Sequence, residues 1–141
     1  MNSTRVVRDA RTADRVLAWS LRICGGVDLL ALTAFVMPLE WIRQAHQWCG
    51  FGPFPDGPIP EYLARATSLL WGLHGALLLY LARDVRAHAA LIGFVAKLTV
   101  LAGVLLLALG LRTDLPTWWV ALEGPVFAAT GLWYLWWLNR R

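Results

Sequence analysis

Four long apolar runs, parted by short polar stretches, set the plan of this chain. They cover residues 16–37, 62–82, 89–111 and 117–138. A helix of about 20 residues rises roughly 30 Å, the thickness of a bilayer's hydrocarbon core, so each run predicts one membrane-spanning helix. The short turns between them predict an all-α, four-transmembrane-helix antiparallel bundle forming a single integral membrane domain over 1–141. The first run is longer than the apolar part of a signal peptide and ends at Met37-Pro38 without an A-x-A cleavage pattern, so it reads as a retained span behind a polar prelude. Asp114 and Pro116 stand before the last run as a candidate N-cap and a first-turn proline.

The longest connection, Pro38 to Pro60, has two halves. Trp41, Ile42, Ala45, Trp48 and Cys49 recur at helical spacing with Glu40, Arg43, Gln44, His46 and Gln47 between them. That pattern predicts an amphipathic, extracytoplasmic helix lying in the membrane interface. Gly50 ends it, and the Pro/Gly-rich stretch FGPFPDGPIP then predicts a stiff loop reaching to the next span.

The spans are not uniformly apolar. Asp28, Arg65, His74, Lys97 and Glu123 form a set of ionisable residues at intramembrane depth, where an unpaired charge costs several kcal/mol. Small residues accompany them: Gly25 and Gly26 near Asp28, Gly72 and Gly75 on one face with Arg65 and away from His74, Gly124 beside Glu123. Such residues let helix backbones approach closely. Depth, counted from the cytoplasmic end, allows Glu123 to pair with Arg65, and Asp28 with Lys97 or His74. The cluster either lines a binding cleft or holds the helices in register.

Composition supports the membrane reading: 58% of the residues are hydrophobic and 16% charged, with a mean hydropathy of +0.53. The net charge of +4 would suggest nucleic acid in a soluble protein, but ten of the thirteen basic residues flank the spans. Arg5, Arg8, Arg11, Arg15, Arg83, Arg86, Arg140 and Arg141 fall on one side and only Arg43 and Arg112 on the other. By the positive-inside rule both termini are cytoplasmic, and no nucleic-acid partner is implied. Aromatic belts at both ends of the last run, Trp118 and Trp119 at one and Trp133, Tyr134, Trp136 and Trp137 at the other, fit the two interfaces. Cys24 and Cys49 sit at different depths and make no metal-type spacing, and His46 and His88 belong to opposite surfaces, which argues against bis-histidine haem.

R-I-C-G-G-V-D-L-L in the first span resembles the opening helix of the small four-helix DoxX-like membrane proteins, some of which are linked to quinone-coupled oxidation. EYLARATSLLWGLHGALLLYLARDVR, followed by W-W-x-x-x-E-G-P, resembles uncharacterised bacterial small membrane proteins with related E-Y-L-x-R, L-H-G-A-L-L-L and E-G-P strings. The second resemblance runs over nearly the whole chain and implies no activity.

These readings lead to one expectation: a multi-pass protein of the bacterial inner membrane, non-catalytic, acting as an accessory or interaction protein. Its partners would be membrane lipids and either another membrane protein or further copies of itself. No metal or resident cofactor is implied. A quinone- or lipid-binding redox partner is the alternative, and an oligomeric small-solute transporter stands third.

Overall fold

The computed structural model describes residues 3–140, with side chains from Ala10 onward. Arg141 and the side chains of Arg5 and Arg8, three of the basic residues used for orientation, lie outside the described part. Among the described residues all regular structure is helical, with no strand. Its helices are α1 (Ser3–Leu30), α2 (Leu32–Val36), α3 (Leu39–Trp48), α4 (Pro58–Leu81), α5 (Ala89–Gly110) and α6 (Thr117–Leu138). Two segments, Ala10–Val36 and Ala89–Gly110, are long and apolar enough to cross a membrane.

The first apolar run differs from its expected form at both ends. Helix α1 starts at Ser3, so the Arg-rich prelude is itself helical and continuous with the apolar run. Arg and Ala there are good helix formers, Asp9 and Asp14 supply opposite charges, and no proline or glycine stops propagation. At the other end the helix is interrupted at Ala31, where the Ala31 N–H donates to the Asp28 carbonyl at 3.1 Å, a tighter bond than the α pattern. Ala31 keeps helical dihedrals (φ −58°, ψ −27°), so the chain resumes as α2 without a reversal. The Thr33 hydroxyl donates to the Leu30 carbonyl at 2.7 Å and so satisfies one acceptor at the interruption.

Helix α3 ends as its glycine predicts. Gly50 has φ 77°, the Gly50 N–H donates to the Gln47 carbonyl at 3.0 Å and the Phe51 N–H to the His46 carbonyl at 3.2 Å, the paired bonds of a Schellman motif. The following loop folds back on α3. His46 Nδ1 is 3.0 Å from the Gly52 carbonyl oxygen, its ring lies 5.3 Å from those of Phe51 and Phe54, and Arg43 pairs with Asp56 at 3.0 Å. Of the four prolines only Pro53 and Pro55 stay in this loop, because α4 begins at Pro58 and takes Pro60 into its first turn. The first N–H groups of a helix have no intrahelical acceptor, so prolines cost nothing there. Asp114 is not a cap: α6 starts at Thr117 behind Pro116, with no side-chain bond to its first turn.

Contacts gather in two units, residues 21–80 and residues 1–20 with 81–141. In the first, α1 and α4 run antiparallel at backbone contact: a Cβ on Gly75 would lie 2.6 Å from the Gly25 carbonyl oxygen and 2.7 Å from the Leu29 nitrogen. In the second, α5 and α6 do the same. A Cβ on Gly103 would lie 2.5 Å from the Ala128 nitrogen, and one on Gly131 2.5 Å from the Ala96 carbonyl oxygen. The start of α1, where Leu17 is fully buried, joins this second unit through the Trp133 indole donating to Ser20 Oγ at 2.9 Å and through an Arg86–Asp14 ion pair.

Candidate functional site

The unit of residues 21–80 brings an acid and a base together. Asp28 lies one helical turn beyond Gly25, and His74 directly precedes Gly75, so the glycine-to-glycine crossing carries both side chains to one place. Asp28 Oδ2 is 2.9 Å from His74 Nδ1. Of the two partners that depth allowed for Asp28, His74 is the one that stands beside it in this unit. Trp71, one turn before His74, meets the imidazole edge-on with ring centroids 5.7 Å apart. The His74 side chain is 34% exposed and that of Asp28 20%. In the tautomer whose Nδ1–H donates to the Asp28 carboxylate, Nε2 is the acceptor of the neutral ring. Nε2 has no hydrogen-bond partner among the described residues. This is an arrangement that can accept one hydrogen bond or hold one proton at Nε2.

Arg65 has a different employment. Its Nε donates to Glu61 Oε1 at 2.9 Å, one turn earlier on α4, and one terminal nitrogen donates to the carbonyls of Phe35 at 2.7 Å and Met37 at 3.1 Å. The guanidinium therefore satisfies carbonyls at the end of α2 that have no acceptor role left inside a helix, and ties that end to α4. Depth suggested Glu123 for this arginine. Within its own unit Glu123 accepts from the Trp119 indole N–H at 2.8 Å, again one turn away on the same helix. Both bonds are contacts at i and i+4 within one helix, which a count of depth across helices does not include.

Lys97, the fifth residue, is exposed on α5 and makes no hydrogen bond or ion pair among the described residues. Among the described residues, no three His, Cys, Asp or Glu side chains converge as a metal site.

A polar feature that sequence reasoning missed lies between α4 and α5. Asp84 Oδ1 accepts the backbone N–H groups of Ala87 and Arg86, each at 3.0 Å. These two bonds, Ala87 first, hold the carboxyl below its usual range. The signal was present in the sequence, an aspartate opening a short polar turn before a helix. Comparison with known proteins found no matching family, no matching curated protein and no matching solved structure.

Proposed function

We propose that this chain is a four-span protein of a bacterial inner membrane, with α1, α4, α5 and α6 as the spans and both termini cytoplasmic, serving as a non-catalytic accessory or interaction protein. The observation that carries the reading is the apolar exterior of all four long helices. Val27 is 61% exposed, Leu70 66%, Leu109 58% and Leu122 54%, and each has large apolar neighbours on its own helix that are exposed too. A water-soluble monomer seldom leaves apolar surface open on every long helix, whereas lipid would cover it. α6 carries its five tryptophans near its ends, where interfacial rather than hydrocarbon solvation suits them. α3 leaves Trp41 62% and Trp48 84% exposed, as an interfacial helix would.

The interaction role follows from how the polar groups are used. Arg65 spans Glu61 and two helix-end carbonyls, Glu123 takes the Trp119 indole, and Asp28 takes His74. Each is taken up by a contact within its own helix or with a neighbouring helical segment, and none of these groups belongs to a nucleophile–base or metal arrangement. One observation favours a second reading, a quinone- or lipid-binding redox partner: the half-buried His74 with Nε2 open to a hydrogen-bond donor.

Purification from native membranes in mild detergent, followed by mass spectrometry of proteins and lipids, tests the choice. A membrane protein recovered at fixed stoichiometry supports the accessory role. A bound isoprenoid quinone lost in His74→Leu supports the second. Release of the chain by alkaline carbonate would remove the membrane assignment itself.

A further inference from the structure

Helix α5 has two faces of opposite kind. Ala96, Gly103 and Gly110 are buried, and a Cβ on Gly103 would touch the backbone of α6. A second stripe, Ala90, Phe94, Lys97, Leu101, Val104 and Ala108, is exposed along its whole length. Its spacing alternates four and three residues, the seam of a helix that packs against another helix. Phe94 is 58% exposed, Leu101 53% and Val104 56%. In the middle of this seam stands Lys97, with no ion pair or hydrogen bond among the described residues.

We propose that this seam docks on a membrane-spanning helix of a different protein, one that carries an Asp or Glu at the depth of Lys97. The inference rests on α5 being a membrane span, and it names the kind of partner that the accessory role requires.

Depth decides between this partner and a lipid phosphate. α5 has 22 residues, about 33 Å of helix against a hydrocarbon core of roughly 30 Å. Lys97 is eight residues past Ala89, about 12 Å along the axis. An extended lysine stem recovers roughly 6 Å toward the helix start, which leaves the ammonium about 5 Å inside the hydrocarbon. A carboxylate on a neighbouring helix meets it there, and a headgroup does not. Charge also speaks against a second copy in the same seam. Two copies inserted alike would set Lys97 against Lys97, whereas a single polar seam residue facing an opposite charge fixes register.

The test places a photo-crosslinking amino acid at Phe94 or Leu101 of the full chain in native membranes, with Leu109, exposed but off the seam, as the control position. The expected result is one protein adduct from Phe94 and Leu101 and none from Leu109, mapped by mass spectrometry to a spanning segment containing Asp or Glu. Lys97→Glu should reduce the adduct roughly tenfold or more, and Lys97→Arg should retain it. Exchange of the mapped acid for lysine should restore docking to Lys97→Glu. Lys97→Gln gives the same direction of effect without a buried acid, should the Glu variant fail to insert. An adduct of twice the chain's mass, lipid adducts alone, or a protein adduct indifferent to Lys97→Glu and Lys97→Gln would each overturn the proposal. Carbonate extraction of the unsubstituted chain separates this failure from failure of the membrane reading.

Discussion

Gly25 and Gly75 meet backbone to backbone: a Cβ on Gly25 would stand 2.8 Å from the Gly75 carbonyl oxygen, and one on Gly75 would stand 2.6 Å from that of Gly25. No side chain is available to move aside, so a substitution must part α1 from α4. We expect Gly75→Val to lower stability in detergent by about 2 kcal/mol or more, the cost of overpacking a close contact. Gly26, adjacent in sequence, has nothing within 4 Å of a built Cβ. Gly26→Ala should be neutral or stabilise by up to about 1 kcal/mol through helix propensity. Thermal unfolding of the two variants checks the contrast; equal losses would refute the crossing.

The Asp28–His74 bond should appear as a coupling. Asp28→Leu and His74→Leu each strand a polar partner in a poorly hydrated site. Their double mutant should recover part of the loss, with a coupling on the order of 0.5–2 kcal/mol in a double-mutant cycle. Additive losses would mean that the two groups do not depend on each other.

Arg65 serves carbonyls as well as Glu61, so its two kinds of partner should separate by mutation. Glu61→Gln keeps an acceptor for the guanidinium and should cost little. Arg65→Leu leaves the Phe35 and Met37 carbonyls without their donor and should cost about 1–3 kcal/mol. Proteolysis between residues 31 and 57 in detergent should accelerate in Arg65→Leu and not in Glu61→Gln.

Asp84 sets an acid limit for the turn before α5. Its carboxyl is held below the usual range by the N–H groups of Ala87 and Arg86, so the folded form binds its proton less readily than the unfolded chain. The stabilisation is therefore complete above the unfolded value of about 3.9 and fades as pH falls through the lower folded value. Asp84→Asn should flatten that part of the acid-stability profile below about pH 4. Unfolding midpoints of both proteins against pH are the measurement, and an unchanged acid slope would remove Asp84 from the account.

Orientation is testable apart from the internal contacts. Paired cytoplasmic and periplasmic reporters fused at Arg141 and inserted at Pro53 should report opposite sides, since basic residues flank one set of helix ends and not the other. The same side for both sites would rule out the four-span map.

The helices themselves were legible in the sequence because their causes are local. Apolar runs of spanning length, Gly50 behind α3, and the polar turn before α5 act through propensity and hydrogen bonds within a few residues, and α6 occupies 117–138 as its pattern predicts. The prolines misled for a local reason as well: Pro58 and Pro60 are tolerated in a first turn, so a loop-like composition begins a helix. The partners of the charges were decided otherwise. Depth along a helix is read from the chain, but which neighbour a side chain reaches depends on azimuth and on how closely two backbones approach. The crossing at Gly25 and Gly75 brought His74 to Asp28, and the end of α2 offered Arg65 two carbonyls that no count of charges includes. By itself the sequence determined where helices form and which residues need partners; only the tertiary structure decided who those partners are, because a buried polar group is satisfied by the nearest well-placed donor or acceptor, charged or not.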